Sequence, residues 1–151
     1  MTPEQNLAEL GLKLPEVTKP VAAYIPAVRS GNYVYTSGQL PMRNGKLIAT
    51  GKLGGGVAPE VGVECARQCA LNALAAVASQ VDLASVKRVV KVLAFVASTP
   101  EFTGQPQIAN GASELLGHVF GEAGAHARSA VGVPVLPLDA PVEVEILVEV
   151  A

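Results

Sequence analysis

The sequence predicts an α+β fold in which one β-sheet carries two helices on a single face. Three observations point that way. Val142, Val144, Ile146, Val148 and Val150 alternate with Glu143, Glu145, Leu147 and Glu149, the period-two pattern of a half-buried strand. Val63, Ala66, Ala70, Ala73, Leu74 and Val77 recur at helical spacing. The predicted order is a hairpin, a helix, a strand, a helix and two strands. One sheet covered on one side is the simplest packing for that order.

Residues 3–14 are expected to be a short helix, with Leu7, Leu10, Leu12 and Leu14 as its apolar face and Gly11 breaking it. Pro15 and Pro20 bracket a linker. Residues 21–28 are mostly apolar and predict a strand, with Pro26 marking an edge or a bulge. Residues 29–32 are expected to turn, and Tyr33 to Ser37 to return as a strand. Asn44-Gly45 is a strong hairpin signal, followed by a short strand at 46–49. The glycine-rich stretch from Gly51 to Gly56 predicts a mobile loop. Pro59 and Glu60 suit the first turn of the longest helix, whose many alanines predict close packing on the sheet.

Asp82 to Ser85 breaks that helix, and the β-branched run from Val86 to Ala97 predicts a strand. A loop with two prolines spans 99–106. Ile108, Leu115, Leu116, Val119 and Phe120 mark the second helix, ended by Gly121 and Gly124. Residues 126–135 predict a strand, 137–141 a turn, and 142–150 the final strand. Residues 1–151 are expected to form one domain, with 1–19 as an N-terminal helical extension.

The bulk composition narrows the function classes. Half of the 151 residues are hydrophobic, 16% are charged and the formal net charge is −2. This is enough for a core without disulfides or metals, and it leaves few charges to cover a monomer. Nucleic acid is not an expected partner, because the basic residues are scattered and only six Phe or Tyr are present. No apolar stretch reaches membrane-spanning length, and the polar start has no signal-peptide pattern. Cys65 and Cys69 are expected as buried small hydrophobes, which fits a reducing cytoplasm. No metal site or cofactor is expected, since the two histidines lie far from the cysteines.

The candidate chemistry centres on Arg128, between a Gly/Ala-rich turn and an apolar strand. A guanidinium there can grip a carboxylate with two parallel hydrogen bonds, or pair with a local acid as a surface arginine. Glu143 is either one acid of a solvated strand face or a carboxylate that orients a water. The strand end Thr36-Ser37-Gly38-Gln39 offers a hydroxyl and a backbone amide. Gly54-Gly55-Gly56 lacks the Gly-Lys-Ser/Thr ending of a phosphate loop. His118 and His126 are expected as surface or helix-end residues.

Residues 31–39, GNYVYTSGQ, resemble the early hairpin of the Rid/YjgF family. Residues 127–133, ARSAVGV, with Leu136-Pro137 and Val142-Glu143-Val144-Glu145, resemble its C-terminal signature. The resemblance covers roughly residues 20–150. It implies a chorismate-mutase-like fold and a homotrimer with clefts between subunits. It further implies hydrolysis of reactive enamine or imine intermediates to 2-oxo acids and ammonia. On that resemblance Arg128 binds the substrate carboxylate and Glu143 lies near the water. Ser37 and Gly38 form the strand end at the ligand, while Tyr24 and Asn110 line the cleft.

Ala130 stands where well-known members often carry cysteine, and the chain is longer than they are. Both features favour the alternative of a non-catalytic homotrimer that binds small carboxylates such as 2-oxo acids. The family's other name suggests an endoribonuclease, against which the acidic balance and sparse aromatics argue.

Overall fold

A computed structural model describes residues 1–17 and 23–151. The elements are α1 (Pro3–Glu9), β1 (Ala27–Ser30), β2 (Tyr33–Thr36), β3 (Met42–Arg43), β4 (Lys46–Leu47), α2 (Pro59–Ala78), β5 (Val86–Ala97), α3 (Gln105–Phe120), β6 (Ala127–Val133) and β7 (Val142–Val150). The main sheet has the order β1-β2-β7-β5-β6, and β3 and β4 form a separate two-stranded sheet. All neighbours in the main sheet are antiparallel except β5 and β6. A parallel pair needs a long crossover, and α3 supplies it. Helices α2 and α3 pack together on one face, so the expected α+β arrangement is the observed one.

Burial along β7 alternates without a break: Val142, Val144, Ile146, Val148 and Val150 point into the core. The acids at 143, 145 and 149 take the other face. Strand β5 departs from plain alternation. Register shifts lie between Val86 and Arg88 and between Val89 and Lys91, so the buried positions run Val89, Val92, Ala94, Val96. A bulge resets which face each residue takes. It lets one long strand carry Lys87 and Arg88 outward and still bury its second half.

In α2, Ala66, Ala70, Ala73 and Ala76 are all fully buried. The helix packs against both α3 and the sheet, where small side chains permit close approach. Its buried polar residues form one chain. Arg43 Nε donates to Gln68 Oε1 (3.1 Å), Gln68 Nε2 to Asn72 Oδ1 (3.0 Å), and Asn72 Nδ2 to the carbonyls of Leu40 and Met42 (both 3.0 Å). This chain fixes the backbone between β2 and β3.

Four expectations need correction. The N-terminal helix stops at Glu9 rather than reaching residue 14, because Gly11 turns left-handed at φ 71°. The first strand spans Ala27–Ser30, not 21–28, and the linker and strand assignments at 18–22 lie outside the described residues. Ser30 pairs with Tyr33, so the turn is only Gly31-Asn32, with Gly31 at φ 59°. Arg29 and Ser30 are drawn into the strand. The stretch 51–56 is docked rather than loose. Leu53 is fully buried, its N–H donates to Ala97 O (2.9 Å) and its carbonyl accepts from Thr99 N (3.0 Å). One leucine among the glycines outweighs their backbone freedom. The predicted Asn44-Gly45 turn is present, with both residues at positive φ.

Among the described residues no helix covers the second face of the sheet. Tyr35 is 49% exposed and Val131 42%, and Tyr33 and Val28 are exposed beside them.

The closest helix contact makes a clear prediction. A Cβ on Gly111 would run into the carbonyl oxygen of Val63, whereas one on Gly117 of the same helix would meet open space. Gly111→Ala should cost about 2–3 kcal/mol of stability by overpacking. Gly117→Ala should be neutral or stabilise by up to about 1 kcal/mol. Urea unfolding of both variants measures the difference.

Candidate functional site

Arg128 lies on the edge strand β6 and is paired with Val92 of β5. It therefore shares Val92's side of the sheet, the side covered by α3. Its Nη1 donates to Asn110 Oδ1 (2.8 Å) and to Ser113 Oγ (3.1 Å), and its Nη2 donates to Pro106 O (3.2 Å). Residues 106, 110 and 113 are spaced i, i+4, i+7 and form one stripe on the helix. A guanidinium has five N–H donors. Three are engaged, leaving Nε–H and one Nη2–H without a partner among the described residues. Two such donors can donate in parallel to the two oxygens of a carboxylate.

Ser113 also lies 2.8 Å from His126 Nε2, and His126 Nδ1 lies 2.6 Å from Gly124 O. His126, expected as a surface or helix-end histidine, does sit at the end of the short helix Gly121–Gly124 and is also part of the arginine's support. Ser113 and Pro106 were not among the sequence candidates either. Their signal was present, since both lie on the helical stripe that contains Asn110.

The second group sits on the uncovered face. Glu143 is half-buried and opposite Phe95. Burial, and next the charge of Glu145, push its carboxyl above the ordinary carboxylate range. A Cβ on Gly38 would run into Glu143 Oε2, so the missing side chain makes room for the carboxylate. Gln39 exchanges backbone hydrogen bonds with Val144 (2.8 and 3.0 Å), which holds Gly38 there. Ser37 Oγ donates to Ile25 O (2.6 Å), and Ser37 N donates to Pro26 O (2.8 Å). These bonds tie the segment carrying Tyr24 to the end of β2, with Tyr24 itself 54% exposed.

The predicted site residues therefore fall into two groups. Arg128, Asn110 and Ala130 are on the helix side, at the β6 edge. Glu143, Gly38 and Ser37 are on the uncovered side, near Tyr24. Strand β5 separates β6 from β7, and Arg128 and Glu143 form no ion pair; among the described residues the one salt bridge is Arg43–Glu64. Within a single chain they do not share a cavity. Ala130 packs its methyl against the core two residues beyond Arg128 and offers no nucleophile. A hollow of about 360 Å³ between Lys52, Ser98, Thr99 and Gln105, at the ends of β5 and β6, includes neither group. No group of three or more His, Cys, Asp or Glu that would hold a metal occurs among the described residues. No helix among them is long and apolar enough to cross a membrane.

Residues 4–150 match the family described as YjgF/chorismate mutase-like, putative endoribonuclease. The chain belongs to this YjgF family. It is 47% identical over 146 residues to the protein TCP17 of Trypanosoma cruzi, covering 95% of this chain and 91% of that one. The crystal structure of Atu1372 from Agrobacterium tumefaciens, of unknown function, superposes with a TM-score of 0.92 at 46% identity, covering 99% and 92% of the two chains. That of a putative endoribonuclease from Shewanella oneidensis gives 0.95 at 34% identity, covering 99% and 100%. With 99% of this YjgF-family chain covered, the likeness to the two crystal structures takes in its N-terminal helix.

The cysteines make the testable contrast. Cys65 and Cys69 are fully buried, and burial raises the Cys65 thiol to about 11 and Cys69 well above the ordinary range. At pH 8 roughly one Cys65 in a thousand would be ionised. Ellman's reagent should label neither thiol in the native protein over minutes, and both after denaturation.

Proposed function

We propose that this protein hydrolyses carboxylate-bearing enamines and imines to 2-oxo acids and ammonia, in clefts completed by association of identical chains. The observation that carries this reading is the state of Arg128. Three hydrogen bonds to α3 fix its guanidinium while two donors stay available. A pre-oriented arginine of this kind favours a carboxylate over a more weakly charged group.

The chemistry asks little more of the protein. An iminium carbon is already electrophilic, so catalysis reduces to holding the carboxylate and placing a water. Glu143, with its raised pKa, takes a proton from the water as its oxygen bonds to the carbon. The carbinolamine so formed collapses to the carbonyl, and the proton passes to the departing nitrogen. This chemistry requires no metal or cofactor.

Association supplies what one chain lacks. The sheet face bearing Tyr33, Tyr35 and Val131 is only half-covered, and the β6 edge beside Arg128 is unpaired among the described residues. A homotrimer would cover that face and bring Arg128 of one subunit toward Glu143, Gly38, Ser37 and Tyr24 of the next. The alternative, a trimer that binds small carboxylates without turnover, is favoured by Ala130, which stands where well-known members often carry cysteine.

A coupled assay with 2-aminoacrylate generated by a pyridoxal-phosphate enzyme separates the two readings. Wild type should accelerate 2-oxo acid formation, and Arg128→Ala should lower kcat/KM by about a hundredfold, the weight of a charge-assisted pair. Binding of 2-oxo acids without acceleration would establish the alternative. Glu143→Gln should lose about 10²-fold or more. The wild-type rate should fall as pH drops through an apparent pKa above the ordinary carboxylate value, and this limb should vanish in the Gln variant. Analytical ultracentrifugation checks the trimer.

A further inference from the structure

We infer that His126 is a positioning residue for Arg128, acting through Ser113 with its ring proton on Nδ1. The inference rests on the proposed function in one respect, that Arg128 grips a carboxylate.

The proton positions follow from what each atom can do. Gly124 O only accepts, and it lies 2.6 Å from His126 Nδ1. That nitrogen therefore carries the proton. In a neutral ring Nε2 is then a lone-pair acceptor, so the Ser113 hydroxyl, 2.8 Å away, donates to it. With its hydrogen committed to His126, Ser113 Oγ turns its lone pairs elsewhere, and Arg128 Nη1 donates into one at 3.1 Å. The result is a one-directional chain from guanidinium to serine to imidazole to backbone carbonyl. Every donor along it has an acceptor, and such chains reinforce each member.

The chain matters because a serine in a helix has another option. Its hydroxyl can bond back to the carbonyl one turn earlier, here that of Ala109. His126 denies it that rotamer. Asn110 then holds the other Nη1 hydrogen, and Pro106 O takes one from Nη2. Guanidinium rotation is blocked, and the edge formed by Nε and Nη2 stays presented. His126 can do this because it lies two residues before Arg128. The short turn Gly121–Gly124 supplies the carbonyl, and α3 supplies the serine.

Three variants test this: Ser113→Ala, His126→Leu, and His126→Gln, whose Oε1 keeps an acceptor near the Nε2 position. Long-range 15N–1H spectra of the wild type should show His126 as the Nδ1–H tautomer at neutral pH. Rotation of the Arg128 Nη groups should be slow in wild type and His126→Gln, and faster in the other two. Calorimetry with pyruvate should give Kd values about tenfold weaker for Ser113→Ala and His126→Leu, the weight of one hydrogen bond to a charged group. His126→Gln should stay near wild type. In turnover, KM should rise with kcat nearly unchanged, because a carboxylate grip acts equally on substrate and transition state. Loss of folded protein would lower apparent kcat instead.

An Nε2–H tautomer, or guanidinium rotation and pyruvate affinity indifferent to both Ser113→Ala and His126→Leu, would overturn the inference. If wild type neither binds pyruvate nor hydrolyses imines, the proposed function fails. Tautomer and rotation rates still decide the role of His126 in that case. If His126→Leu does not fold, Ser113→Ala carries the test.

Discussion

Two parallel strands cannot be joined by a tight turn, and the pair β5–β6 imposes that condition on this chain. The crossover must run the length of the strands, and α3 is that crossover. It is packed against α2 and the sheet, with Ile108, Ala109, Ala112, Leu115 and Leu116 all buried. Because the helix returns the chain directly to β6, its flank faces the first residues of that strand. Arg128 meets Pro106, Asn110 and Ser113 for this reason. The support of the arginine is thus a by-product of topology. Loosening α3 would disturb the guanidinium before any residue touching it was changed.

Much of this was legible in the sequence, unevenly so. The β7 alternation and the helical spacing in α2 were readable because a face buried against a continuous core leaves its period in the residues. The Asn44-Gly45 turn was readable because few residues tolerate positive φ. The docking of Leu53 was not, since it depends on carbonyls and amides at the far end of β5. The β5 bulges were hidden because their effect is to move residues between faces without changing composition. Arg128 and Glu143 stood out by type and place. What sequence spacing did not tell is that a strand's parity sends them to opposite faces. Ser113 and His126 were passed over because neither is unusual by itself. Only the fold makes neighbours of residues 113, 126 and 128.

The two faces of the sheet solve different problems. The helix-covered face is almost wholly apolar and fixes the fold. The other face mixes Tyr33, Tyr35, Val131 and Leu147 with three glutamates, and within one chain it is left half-covered. Half-burial is enough to raise Glu143, because desolvation acts on the ionised form before any partner is supplied. A carboxylate so prepared is costly in a monomer and useful in a cleft.

The polar chain along α2 has a mechanical consequence. Asn72 holds the carbonyls of Leu40 and Met42, just behind the small hairpin of β3 and β4. The tip at Asn44-Gly45 therefore stands outboard of a clamp, and Ser37 and Gly38 stand inboard of it. Strain applied at the tip is borne by the clamp before it reaches the strand end. That makes the hairpin a natural tether point, where a dye, a tag or an added loop would load two short strands and leave the segment beside Glu143 undisturbed.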